Sequence, residues 1–392
     1  MPITLGNDVV RSESPGTLSF RATDATDRFR FLNSAGRVLG SGLQSNITAS
    51  LYNGGQLGAF RNKIINGDMN IAQRGTSIAV NTSGYTLDRW TFSNDSSVPS
   101  LVTVTQSTDV PTNTGWPNRQ SHSFYSLRAT VTTADTSIST TDYGMLGTPL
   151  EGYNVRDLIG RTFTISFWVR SAKTGTHCVS LRNAGNDRSY VLTYTVNNIN
   201  TWEFKSVTVH GGLITAGTWD WTTGYMYLNF SIKAIGSTFQ TTAGAWQTGN
   251  FIGTSGQVNV ADTVGNIFAI TGVQMEVGDV ATVFEQRPPA TELILCERYY
   301  QVYSGFGQGN KITFKSYAPS APGTYYIPGL LRTEMRASAV TTVEGFALTN
   351  ASAFSVTAAR NAFRYNVTAT VTGGIYMVDG TSTDARITFS AE

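Results

Sequence analysis

The run RTFTISFWVRS, residues 161 to 171, alternates without a break: Phe163, Ile165, Phe167 and Val169 fall on one side, and Thr164, Ser166, Trp168 and Arg170 on the other. A period of two sends successive side chains to opposite faces, so the stretch predicts a strand with one face buried. YMYLNFSIKA repeats the pattern, with Met226, Leu228, Phe230 and Ile232 together, opposite Tyr225, Tyr227, Asn229 and Ser231. FKSVTVHG and NIFAITGVQMEVG behave alike, and Gly, Asn or Pro clusters punctuate the runs. From about residue 62 to 287 the chain is strand after strand, which predicts an antiparallel jelly-roll β-sandwich.

Composition fits that reading and narrows the function. Charged residues are 14% of the chain, against roughly 25% in an average soluble protein. Gly accounts for 39 of 392 residues, and Thr, Ser and Asn fill many polar positions, which suits turns and exposed strand faces. A net charge of +2 with no Lys/Arg cluster gives little field for nucleic acid or an anionic membrane, so neither partner is expected. No apolar run approaches the roughly 20 residues of a membrane span. Two distant cysteines, Cys178 and Cys296, read as buried free thiols in a chain folded in a reducing cytosol.

The two ends differ from the middle. In TLSFRATDATDRFRFLNSAGR, Leu18 and Phe20 precede a turn at Asp24 to Asp27, and Phe29 and Phe31 follow it, which predicts a hairpin. Two such strands make no stable core alone, so this end must pack on another subunit, a partner or the next domain. A Gly/Ser/Asn-rich connector leads on. ATELILCERYYQ, 290 to 301, predicts a helix with Thr291 as N-cap and Leu293, Cys296 and Tyr300 on one face, with Leu295 and Tyr299 close to it. KITFKSYA, GTYYIPGLL, FRYNVTATV, GIYMVDG and ARITFSAE then predict a smaller C-terminal β-sandwich. The expected division is 1–61, 62–289 and 290–392.

NKIINGDMNIAQRGTS, GYTLDRW, FTISFWVRS, GVQMEVGDVATVFEQRPPATELILCERYYQ, LRTEMRASAV and ARITFSAE occur in that order over residues 62 to 392. Together they resemble a β-sandwich domain of tailed-phage and prophage structural proteins, departing at Val283 and Ala339, where similar sequences carry Pro. The resemblance implies a carbohydrate-binding-module-like jelly roll in a tail fibre or other virion appendage. It further implies a homotrimer with one end anchored to the particle; made in the host cytoplasm, the chain is expected to join tail or baseplate proteins through residues 1–61, a segment outside the match. On that reading the chain binds host-surface polysaccharide and is not an enzyme. The alternative is a purely structural adaptor, baseplate or decorating component without host contact.

Candidate sites follow from residue type. Sugars stack on aromatic rings and need planar donors and acceptors beside them, so loop-borne aromatics lead. GTWDWTTGYMY offers Trp219, Asp220, Trp221, Tyr225 and Tyr227, and GAWQTGNF adds Trp246. Trp168 lies on the polar face of its strand, and Asp88-Arg89-Trp90 is a polar pair beside a Trp. Asn66-Gly67-Asp68 reads as a turn that sets strand register. Glu151, read as a loop residue, and Glu276 and Glu285, which bracket VGDVATVF, are acidic residues without a spacing that singles out a pair. His122, His177 and His210 lack metal-ligand spacing, and there is no nucleophile elbow, so no catalytic residue, metal or cofactor is expected.

Overall fold

The computed structural model describes residues 60–392 apart from 81, 96, 97, 99, 100, 113–124, 214, 305–312, 319–322, 371–373 and 381–384; before residue 60 it describes only short strands. Two antiparallel sheets build the middle of the chain. The seven-stranded sheet runs Trp246–Thr248, Arg188–Val196, Gly175–Arg182, Tyr225–Ser231, Gly144–Glu151, Thr91–Asn94 and Ser83–Tyr85. The six-stranded sheet runs Glu203–Val209, Phe163–Ser171, Ile267–Val277, Ser126–Val131, Val102–Ser107 and Ser77–Val80.

The apolar halves of the alternating runs meet between these sheets. Phe163, Ile165, Phe167 and Val169 are fully buried from one side, and Met226, Leu228 and Phe230 from the other. Phe167 and Phe230 touch edge to face across the gap, 4.9 Å between centroids. Burying each such side chain is worth about 1.5–3 kcal/mol, so the two-residue period alone selects a sandwich. Lys233 ends the Tyr225–Ser231 run with its ammonium buried among Asp135, Asp142 at 3.0 Å and Asp95 at 3.4 Å.

The N-terminal strands pair differently from the expected hairpin. Thr17–Arg21 lies against Asp8–Ser14, and Phe29–Leu32 against Val38–Gly42. Each strand finds its partner on the side away from the Asp24–Asp27 turn, which lies outside the described residues. The helix is also shorter than expected: it spans Pro289–Glu297 with Pro288 at the N-cap, and Tyr300–Ser304 is already a strand. Pro-Pro fixes the start one turn early, and Glu292, Cys296 and Glu297 are the helix's buried residues, with Tyr299 buried just beyond it; of the expected face Cys296 and Tyr299 are buried, whereas Leu293, Leu295 and Tyr300 are only half-buried. The remaining strands form three three-stranded sheets, with Val340–Glu344, Phe346–Thr349 and Ala351–Ala358 added to those expected.

The stretch NGDMNIAQRG is the joint of the molecule. Asn66 takes a left-handed backbone, φ 57°, which Asn tolerates better than most residues. Its side chain donates to Ile71 O and Asp88 O, each at 2.9 Å, and accepts from Ile71 N at 2.9 Å. Its carbonyl accepts the Trp90 indole N–H at 2.9 Å. Gln73 bonds Asp88 Oδ1 at 2.7 Å and Tyr300 O at 2.9 Å, while the Arg74 guanidinium lies 3.6 Å over the Tyr300 ring. Arg298 and Tyr299 both reach the Glu151 carboxylate, at 2.8 Å each. Glu151 is the buried end of the Gly144–Glu151 strand, not a loop residue. The motif therefore ties the sandwich to the Tyr300–Ser304 strand and, through the Asn66 N–H donated to Glu292, to the helix.

Candidate functional site

Trp219, Trp221 and Trp246 do come together. Trp219 stacks on Trp221 at 4.5 Å and 9°, meets Trp246 edge-on at 5.9 Å, and Trp246 meets Tyr190 edge-on at 5.3 Å. All three half-buried indoles pack against the main core. The N–H groups of Trp219 and Trp246 are spent on Ala216 O and Gly212 O, both at 2.9 Å. Asp220 caps its own turn: Oδ1 accepts Thr222 N at 2.8 Å, and the Thr222 bonds hold its carboxyl below the usual range. The ladder packs on the main core, and Trp219 and Trp221 each turn one ring face on the other.

Tyr225 and Tyr227 project from the outer face of the seven-stranded sheet, because Met226, Leu228 and Phe230 occupy the inner one. Tyr225 lies beneath Arg336, 4.5 Å from its guanidinium, and so belongs to the joint with the C-terminal strands. Tyr227 stands farther along, with Arg182 5.8 Å from its ring. Asp88, Arg89 and Trp90 are buried in the joint. Glu276 binds Thr282 and Arg61, and Glu285 takes the Asn62 N–H at 2.8 Å, so both carboxylates brace loops. His177 is buried against Tyr194, where burial lowers its pKa. His122 lies outside the described residues. Cys178 and Cys296 are buried free thiols, pushed up by burial. Among the described residues no three His, Cys, Asp or Glu are arranged to hold a metal ion.

Trp168 belongs to a different constellation. A bulge opposite Ser166 and Trp168, where Gly272 takes φ 59°, shifts the register of the Ile267–Val277 strand. Trp168 then pairs across to Phe204 on the edge strand Glu203–Val209, ring to ring at 5.6 Å. The turn that delivers this edge strand uses Asn200 at φ 54°. Trp202 donates its indole N–H to Asp109 Oδ1 at 3.0 Å, and Arg170 pairs with the other oxygen of Asp109. Trp168, Trp202, Phe204, Asn197, Asn198, Glu203 and Lys205 line a cleft of about 480 Å³.

The rim of this cleft is fixed before any ligand arrives. Glu203 accepts the N–H groups of Asn197 and Asn198 at 2.9 and 2.6 Å and the Lys205 ammonium at 2.6 Å. Burial works against the Glu203 charge, but Lys205 and those two N–H groups outweigh it and hold the carboxyl below its usual range. Aromatic surface and exposed amides thus stand side by side at an open sheet edge, a surface able to hold a ring-shaped polyol. Trp202 and Phe204 were not singled out from sequence; the signal was TWEF beside an Asn-rich turn, paired with Trp168.

No family model matches the chain. Nor does any curated protein. Among solved structures, a putative sugar binding protein from Bacteroides thetaiotaomicron is 11% identical, covering 55% of this chain and 99% of its own, with a TM-score of 0.32. The family 11 carbohydrate-binding module of a Clostridium thermocellum cellulosomal cellulase is 11% identical over 53% of this chain and 96% of its own, TM-score 0.27. TmCBM61, solved with β-1,4-galactotriose, is 10% identical over 55% and 99%, TM-score 0.26. The jelly-roll sandwich itself rests on the strand order and packing described above.

Proposed function

We propose that this chain is a non-enzymatic virion appendage of the tail-fibre kind that holds host-surface polysaccharide through its β-sandwich. The observation that carries the reading is the cleft of Trp168, Trp202 and Phe204, where aromatic faces border Asn197, Asn198 and a fixed Glu203–Lys205 pair. Residues 1–61 would join tail or baseplate proteins, and trimerisation would multiply a weak single-site affinity through effective concentration. The ordered motifs over residues 62 to 392 support the virion setting.

The test is adsorption of labelled full-length protein to intact host cells and to cells stripped of surface polysaccharide. Saturable binding that is lost on stripping, and that Trp202→Ala lowers tenfold or more without unfolding the protein, is the expected result. Equal binding to stripped cells, or none by a folded oligomer, overturns it.

A second reading has one observation in its favour. Leu330 and Val340 are 79% and 74% exposed on C-terminal strands that lie at sheet edges, which suits contact with another virion protein. A purely structural component would show no adsorption in the same experiment.

A further inference from the structure

The cleft of Trp168, Trp202 and Phe204 carries a charge balance that narrows its ligand. Among the described residues that line it, only Glu203 and Lys205 are charged. They close on each other at 2.6 Å, with the Glu203 side chain 11% exposed and the Lys205 side chain 15%. Beside Trp202, Asp109 and Arg170 form a second closed pair. Asp109 also takes the Trp202 indole N–H at 3.0 Å, so that ring offers a ligand its face and no donor.

Glu203 is saturated. It accepts the Asn197 and Asn198 backbone N–H groups at 2.9 and 2.6 Å, their carboxamides at 3.0 and 3.5 Å, and the Lys205 ammonium at 2.6 Å. A carboxylate has about four acceptor positions, so a ligand hydroxyl finds none free on it. A ligand carboxylate would have to win Lys205 from Glu203 while giving up its own hydration. What stands open to solvent is the pair Asn197 and Asn198, both exposed. Each carboxamide gives one N–H to Glu203 and keeps its oxygen and its second N–H. That planar acceptor and donor match adjacent hydroxyls of an uncharged sugar, beside rings that cover its apolar face.

We propose that this cleft selects uncharged sugar residues and turns away acidic ones. Asn197 and Asn198 read the hydroxyls, and Glu203 is the positioning residue that holds both amides and cancels the charge of Lys205. This ligand class rests on the cleft being the polysaccharide site, but a cleft that preferred acidic sugars would keep the polysaccharide reading and sink only this one.

The probe is polysaccharide released from the host surface, separated by anion exchange into neutral and acidic fractions and immobilised, with labelled full-length protein in solution. Saturable binding to the neutral fraction, at least tenfold weaker binding to the acidic one, and little change between low and high salt are expected. Asn197→Ala and Asn198→Ala should each lower neutral binding several-fold. In Glu203→Gln the Lys205 ammonium loses its counter-charge, so binding to the acidic fraction should rise and become salt-sensitive, which damage to the fold alone would not produce. If Glu203→Gln does not fold, the fraction preference of the parent protein decides the point. Equal binding to both fractions, or a preference for the acidic one that salt abolishes, overturns the neutral-sugar cleft and leaves the polysaccharide reading standing. Binding to neither fraction overturns both.

Discussion

Arg89 and Glu392 lie 303 residues apart in the chain and 3.3 Å apart in the molecule, each side chain 1% exposed. Arg74 reaches the other carboxylate oxygen, and the Arg89 guanidinium lies 3.5 Å over Tyr299. Removing one partner of a buried pair leaves a charge without compensation, which costs about 3–5 kcal/mol. Glu392→Leu is therefore expected to lower unfolding stability by that amount in denaturant titration. Arg89→Met combined with Glu392→Leu should recover part of the loss, because the stranded Arg89 charge is gone and only Arg74 loses its carboxylate. A neutral Glu392→Leu would show that the pair does not fasten the joint.

Asp68 makes the joint sensitive to pH. Burial, and then the like charge of Glu292, raise its pKa from 3.8 to about 6. The folded protein keeps a proton that the unfolded chain releases. This contribution is full below pH 3.8 and is lost as pH rises through about 6, a fall of roughly 3 kcal/mol. Asp68→Asn should flatten stability across that window and gain stability at pH 8. Denaturation midpoints at pH 4.5 and 8 for both proteins decide it; equal slopes would exclude Asp68 as the cause.

Lys233 is the shared cation of Asp95, Asp135 and Asp142. Lys233→Met leaves three buried carboxylates facing one another, and a loss of at least about 3–5 kcal/mol is expected. Thermal unfolding would register it as a large drop in Tm, and an unchanged Tm would mean that the acids are satisfied without the ammonium.

The stacked indoles call for a split between stability and binding. Trp219→Ala removes a half-buried ring from the Trp221 and Trp246 contacts and should cost about 3 kcal/mol. Cell adsorption per folded molecule should stay within twofold of the parent. A folded, stable Trp219→Ala protein that no longer adsorbs would move the sugar contact from the Trp202 cleft to the ladder.

Strand alternation made the sandwich readable, because Phe163 to Val169 and Met226 to Phe230 leave no other way to bury one face. The site was harder. Trp168 was visible as an aromatic on a polar face, but its partner Phe204 is set by the pairing of two strands, and no local pattern specifies that register. The turn residue Asn66 was read correctly as a turn, yet its bonds to Asp88 and Trp90 depend on segments about twenty residues away.

The way the chain enters the sandwich has a mechanical meaning. Asn62 grips Val273 O at 3.2 Å and the Met275 N–H at 3.0 Å, Lys63 N bonds Met275 O at 2.9 Å, and Arg287 returns to Ile64 O at 3.1 Å. The Ile267–Val277 strand that takes these bonds has neighbours on both sides. Tension drawn through residue 60 is thus delivered to an interior strand. An outer strand can be peeled one bond at a time, whereas an interior one must shear along two ladders together. Pulling on residue 60 therefore loads both of that strand's ladders before the sandwich can open.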